Sequence, residues 1–292
     1  MTMMVYGLFL VSGLAVGSLY ALGGIGLVIL RNSTGVLNFA YGAIAAFSAM
    51  FAWQIADWGL PGVISWISAV AVGILLSVAY GRVIAPSLAW HEPAVKAIAT
   101  LGYMLILLGL IGMIWDDALR KIALPSDKAA VSILGVRVTL TRIIALSVSI
   151  AVVIGMAQYL NRSQTGLNMR ALADNRDHAA LLGIPIVKTE TLAWAISGAL
   201  AGFTGLIFGS LVRLEPTVIT FMVIPAVAAA ICGRLTSLPL TLAGGLFIGV
   251  AESMLTLYKP AASLRTMAPF VIAALVILWM QRGQKLTFAK EA

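Results

Sequence analysis

The chain has 292 residues, 61% of them hydrophobic and only 10% charged, with a mean hydropathy of +1.03. A soluble domain carries about 25% charged residues, so the composition excludes an ordinary globular protein and leaves an all-α, polytopic transmembrane bundle. The net charge of +8 would suggest nucleic acid in a soluble chain. Here it reflects basic loops beside anionic lipid headgroups, and no basic run with interleaved aromatics argues for a nucleic-acid partner.

In chain order, apolar runs at about 4–30, 36–56, 61–84, 95–115, 140–160, 191–212, 217–232, 238–258 and 265–281 read as spans of about 20 residues each. This gives 8–10 spans in a single transmembrane domain, residues 1–292. The first run has no positively charged n-region and is too long for the apolar core of a cleaved signal. Its first basic residue, Arg31, comes after the run, which favours an outside N-terminus and an inside C-terminus.

Two spans are interrupted. Leu30–Asn38 places a charge, amides and Gly35 between apolar runs, and Arg213-Leu214-Glu215-Pro216 does the same further on. Broken helices are tolerated at membrane depth where they are buried in protein or line a cavity. Matching breaks in two halves suggest an inverted repeat, spans 1–4 against spans 6–9 with the fifth as connector. Small residues crowd the helices, with Gly13, Gly17, Gly23, Gly24 and Gly26 in the first span and Gly198, Gly202, Gly205 and Gly209 in the sixth. Such spacing permits close helix packing.

Two polar segments stand out. Residues 116–139 form the one long outer loop, in which Ile133–Val138 could pair as a short ribbon. Residues 161–190 form the longest polar run, holding Arg162, Arg170, Arg176, Lys188, Asp174, Asp177 and Glu190. Charges there would each cost roughly 2.5–3.5 kcal/mol in hydrocarbon, so the segment lies in water, on the cytoplasmic side by its Arg and Lys content. Two short helices broken near Asn175–Asp177 fit it better than one. Gly183 ends the second, with a positive φ expected, and Pro185 blocks its continuation.

Chemistry is nearly absent. There is no phosphate-binding G-x-x-x-x-G-K-[ST], no Ser-His-Asp set and no H-E-x-x-H. Cys232 stands alone, and His91 and His178 lie far apart, so neither a disulfide nor a metal site is expected. Glu252 is the one acid well inside a span, and such acids are functional candidates or structural hydrogen-bonding groups. Asn38, at a helix break, could face a path or cap a helix.

The run Gly166-Leu167-Asn168-Met169-Arg170-Ala171-Leu172-Ala173-Asp174-Asn175, followed by Ala179-Ala180-Leu181-Leu182-Gly183-Ile184, resembles the cytoplasmic loop of ABC-importer permeases of the branched-chain amino acid (Liv-type) family. Gly17–Leu22, Gly26-Leu27 and Asn38–Gly42 resemble that family's N-terminal signature, and Gly244–Glu252 its closing helix pair. Tyr41 stands where the family often has His, Ala43 where it often has an acid, and its glycine-rich turn is reduced to Gly233–Ser237.

The resemblance implies an inner-membrane permease for branched-chain or related amino acids. Its partners would be a second permease, two cytoplasmic ATPases that use the ATP, and an external solute-binding protein, with no cofactor on this chain. Carried over residue by residue, Gly166, Arg170, Ala171, Asn175, Ala179, Ala180, Gly183 and Ile184 would couple to the ATPases, with the small residues Ala179, Ala180 and Gly183 at the contact. Tyr20, Asn38, Phe39, Gly42 and Glu252 would line the path. The alternatives are a permease for urea or short amides, or an ion-coupled secondary transporter that uses Glu252.

Overall fold

The computed structural model describes residues 2–115, 120–122, 124–127, 129–133, 136–212, 214–257 and 267–281. The helices are α1 (Thr2–Thr34), α2 (Tyr41–Asp57), α3 (Gly62–Val83), α4 (Pro93–Ile114), α5 (Leu140–Arg162), α6 (Gln164–Asp174), α7 (Arg176–Leu181), α8 (Ile186–Leu211), α9 (Pro216–Phe221), α10 (Val223–Cys232), α11 (Leu238–Leu255) and α12 (Ala268–Gln281). A helix stands at each of the nine expected spans. Six of them (α1, α3, α4, α5, α8 and α11) are long and apolar enough to cross a membrane.

The other three differ for local reasons. Helix α2 has 17 residues, about 25 Å at 1.5 Å per residue, short of the ~30 Å hydrocarbon core. It starts at Tyr41 rather than 36 because residues 36–38 have no regular structure and 39–40 form a turn. Gly35 adopts a left-handed φ of 69°, Phe39 N–H donates to Thr100 Oγ1 at 3.1 Å, and Asn38 Oδ1 accepts from Ala40 N–H. The seventh span is broken at Met222 into α9 and α10, and α12 is shorter than expected. Conversely α8 begins at Ile186 rather than 191, directly after Pro185, whose fixed φ suits a helix start.

Helices α1 and α8 form the interior. The most apolar stretch of α1 is 89% buried, against 17% for α4 and α5. The outer helices turn Leu75, Ile98, Leu105, Ile106, Ile154, Leu275 and Leu278 outward, the surface that a lipid environment requires. Several hydroxyls inside the bundle are satisfied by carbonyls, as with Ser77 Oγ to Trp194 O at 2.6 Å and Ser149 Oγ to Ser18 O at 2.9 Å, whereas those of Ser65 and Ser197 are buried without a partner.

The neighbour pattern repeats under a shift of five spans. Helix α1 packs on α11 as α8 packs on α3, α1 on α10 as α8 on α2, and α2 on α4 as α10 on α12. Both long crossings are made by glycine. A Cβ at Gly17 would lie 2.6 Å from Gly245 O, and one at Gly249 would lie 2.3 Å from Gly17 Cα. On the other side, Cβ atoms at Gly73 and Gly198 would each lie 2.3 Å from the other's carbonyl. The broken elements also meet, with Gly42 at the start of α2 pressed on Thr220 of α9. Helix α5 sits outside this pattern, against α1, α11 and α8.

At the end away from α6 and α7, β1 (Ala130–Ile133) and β2 (Val136–Thr139) pair antiparallel, the ribbon expected within the 116–139 segment. Residues 116–119, 134 and 135 lie outside the described residues. Arg120 bridges to Leu214 in the break before α9 and stacks over Trp53, 4.7 Å from the ring centre.

A substitution separates packing glycines from spare ones. Gly198→Val must push α8 off α3, an overpacking that costs about 1–3 kcal/mol or more. Gly109 has open space around it, so Gly109→Val should change stability by no more than about 0.5 kcal/mol. Thermal unfolding of the detergent-solubilised variants, followed by size-exclusion chromatography, is expected to show loss of the folded peak for the first alone.

Candidate functional site

Two regions carry polar chemistry that packing does not require. The first is built by α6 and α7. Ser163 caps α6, its Oγ accepting from Gly166 N–H at 2.9 Å, and Gly166 lies against the Leu160 carbonyl. Met169 and Leu172 point inward. Met169 joins a cluster of Leu30 and Val36 with Tyr80 of α3 and Ala193 and Trp194 of α8, so α6 is rooted in the bundle. Asn175 breaks the pair and caps α7, its Oδ1 accepting from Asp177 and His178 N–H at 3.0 Å.

Helix α7 faces the other way. Ala179 is buried, but Ala180 is exposed, and Leu181 and Leu182 are 84% and 78% exposed. Gly183 closes the helix at φ 74°, with Gly183 N–H donating to Ala180 O and Ile184 N–H to Ala179 O. The whole unit is tied to α8 by an ion pair from Arg176 Nη1 to Glu190 Oε1. The same guanidinium lies 5.9 Å from the ring centre of Trp90, in the α3–α4 connection.

The second region is a cavity of about 510 Å³ lined by Tyr20, Phe208, Phe221, Ile224, Phe270 and Glu252 among others. Tyr20 O–H donates to Glu252 Oε2 at 2.9 Å, and the Tyr20 ring leans on Phe208 at 6.3 Å. One carboxylate and one hydroxyl thus face otherwise apolar walls. Ile224, Pro269 and Phe270 also line an adjoining apolar cavity of about 180 Å³, which contains Phe39. Among the described residues no group of His, Cys, Asp and Glu is arranged to hold a metal.

Residues 9–280 match the family described as the branched-chain amino acid transport system, permease component. The chain belongs to this family. It is similar to the high-affinity branched-chain amino acid permease protein BraD of Pseudomonas aeruginosa, 30% identical over 84% of each chain. It is also 27% identical to the LivH permease protein of Salmonella typhimurium, over 93% of this chain and 92% of that one. The probable LivH permease protein of Methanocaldococcus jannaschii is 29% identical over 82% of this chain and 77% of its own. As a member of this family the chain is the multi-pass transmembrane permease of an ABC importer, not an enzyme, and it works with separate partner components.

Within this permease, Tyr20, Glu252 and Phe39 come together at the two adjoining cavities. Asn38 does not reach them. It is 1% exposed, its Oδ1 holds the turn before α2, and its Nδ2 is buried without a partner. Gly42 is equally internal, at the α2–α9 crossing. In the α6–α7 pair, Ala180 and Gly183 are exposed, Ile184 and Ala171 are half-buried, and Gly166 and Ala179 face the bundle. The smallness of Gly166 serves packing within the chain. Arg170 is exposed and donates to Asn161 Oδ1 at 3.3 Å.

Sequence reasoning missed the Arg176–Glu190–Trp90 tie and the exposed Leu181-Leu182 pair. The available signals were an acid in the first turns of an otherwise apolar helix and two leucines in a polar loop.

Arg176→Met leaves Glu190 largely buried without its hydrogen-bonded partner and with only the charge of Lys96 to offset its own, a loss of about 1–3 kcal/mol. Hydrogen exchange should then speed up in α7 by about tenfold or more, with the centre of α8 unchanged. Unchanged exchange in α7 would mean that its packing, not the ion pair, holds it.

Proposed function

We propose that this chain is one of the two transmembrane halves of an importer that carries branched-chain or related amino acids through the inner membrane. Two cytoplasmic ATPases drive it, and an external solute-binding protein delivers the solute. The single observation behind this reading is membership, over residues 9–280, of a family whose relatives are named for branched-chain amino acid transport.

The shape of the Tyr20–Glu252 cavity supports the substrate class. A carboxylate against apolar and aromatic walls suits a solute with an ammonium group and an aliphatic side chain, because the charge is matched while the side chain leaves water. Urea or a short amide would gain little from such walls, so competition by urea against leucine uptake separates the two substrate classes.

The α6–α7 pair is the coupling element of this reading. An ATP-driven switch from 1:99 to 99:1 takes about 5.5 kcal/mol of differential binding, which must pass through the surface where permease meets ATPase. Exposed Ala180, Leu181 and Leu182 offer an apolar contact on a helix whose partner, α6, is rooted in the bundle. Ala180→Asp places a charge in that contact. Gly183→Val forces a β-branched residue into the left-handed region, at a cost on the order of 1–2 kcal/mol. Both variants are expected to insert and fold, to lose ATP-driven uptake, and to co-purify poorly with the ATPases. Normal uptake by Ala180→Asp with ATPases bound would remove α7 as the docking element.

The rival reading is an ion-coupled transporter working through Glu252, favoured by that acid's position in a cavity. Glu252→Gln keeps the shape and the Tyr20 contact but cannot carry a proton. At saturating leucine, uptake by the Gln variant is expected to remain at most of the wild-type maximal rate, with the half-saturating concentration raised about tenfold because the charge match to the ammonium is lost. A folded variant with no uptake would favour ion coupling.

A further inference from the structure

At the end away from α6 and α7, Arg142 lies in the first turn of α5 and is half-buried. Neither an ion pair nor a hydrogen bond reaches its guanidinium among the described residues. A half-buried charge without a partner is costly. The acid that shares a cavity wall with it, Asp127, is engaged elsewhere, accepting from Leu124 N–H at 2.8 Å and from the Thr141 hydroxyl.

Arg142 instead faces two open cavities. One, of about 680 Å³, is shared with Arg120 and Lys121. The other, of about 390 Å³, is shared with the hydroxyl-bearing residues Ser12, Ser253 and Thr256. Val212 lines both of these and also the Tyr20–Glu252 cavity, so the three adjoin at that residue as one row. Glu252 and Ser253 are neighbours on α11 and line adjoining parts of it.

The row is therefore electrically graded. Its outer part presents Arg120, Lys121 and Arg142 beside a single carboxylate, Asp127, a cationic excess that suits an anion, and its inner part presents the carboxylate of Glu252.

We propose that Arg142, with Ser12, Ser253 and Thr256, forms an outer site for the carboxylate of an α-amino acid on its way to the Tyr20–Glu252 cavity. The site takes a zwitterion one end at a time: the carboxylate is held first by the guanidinium, and the ammonium then finds Glu252. Arginine suits the task because its planar fork matches a carboxylate with two parallel hydrogen bonds. This inference rests on the import reading above and adds the part of the solute that is recognised first.

The test uses the full chain in its native membrane, carrying Cys232→Ser and Ser253→Cys. An anionic methanethiosulfonate should modify the introduced thiol about tenfold faster than a cationic one of similar size. Adding Arg142→Gln should bring the two rates close together, and Arg142→Lys should retain the preference. Leucine should slow the modification, whereas leucinamide, which lacks the carboxylate, should not. In uptake assays on the complete importer, Arg142→Gln should raise the half-saturating leucine concentration about tenfold, as loss of a charge-assisted contact predicts, with the maximal rate little changed.

Equal rates for the two reagents, or equal protection by leucine and leucinamide, would overturn the outer site. Protection that follows added anionic phospholipid rather than leucine would assign Arg142 to a lipid headgroup and overturn it as well. Failure of the complete importer built on the unmodified chain, with solute-binding protein, ATPases and ATP present, to take up leucine would instead overturn the import reading itself.

Discussion

The backbone of α1 touches the backbone of α11, and the backbone of α8 touches that of α3. In lipid there is no hydrophobic force between helices, so association depends on close van der Waals approach. Gly17, Gly245 and Gly249 supply that approach on one side, and Gly73, Gly198 and Gly202 on the other. The two crossings exchange under the five-span shift that relates the halves of the chain. Between them, α2 and the α9–α10 pair are shorter elements, with Gly42 at the start of α2 meeting Thr220 just before the α9–α10 break. The unpaired backbone this creates is answered inside the protein, by Thr100, Asn38 and the Arg120–Leu214 bridge, as irregular backbone at membrane depth demands.

This frame leaves the polar groups with specific tasks. On one face, Glu252 and Tyr20 stand in a largely apolar cavity. At the far end, Arg142 stands without a protein partner among the described residues. At the other end, α6 is rooted by Met169 beneath Trp194, while Arg176 joins α7 to α8 and to Trp90. Helix α8 therefore links the α6–α7 pair to the glycine crossing with α3 and to the wall of the cavity through Phe208. A displacement of α7 has a continuous packed route to the cavity, carried by one helix and one ion pair rather than by a flexible loop.

Much of this was legible in sequence. The nine apolar runs, the two breaks, the α6–α7 division at Asn175 and the left-handed Gly183 follow from local rules, since length, punctuation and capping act over a few residues. Other features depend on distance in the fold. Arg176 and Glu190 are fourteen positions apart, and nothing in the sequence sets which of the loop's cations meets that acid. Tyr20 and Glu252 were named singly as path residues, but their mutual hydrogen bond depends on how α1 crosses α11. Gly166, Ala179 and Asn38 show the reverse case. Their residue types suit a contact surface or a path, yet burial decided their role, and the 1% exposure of Asn38 is a property of the whole bundle.

The central claim is that this permease moves its solute only as part of an ATP-driven assembly. The most direct measurement is uptake of labelled leucine into proteoliposomes, with the complete importer and the chain alone compared side by side. Uptake by the complete assembly is predicted to require the solute-binding protein outside the vesicles, ATP with its ATPases on the other face, and no ion gradient. The chain alone should be inert under any proton or sodium gradient. Gradient-driven uptake by the chain alone, without ATPases, would contradict the claim.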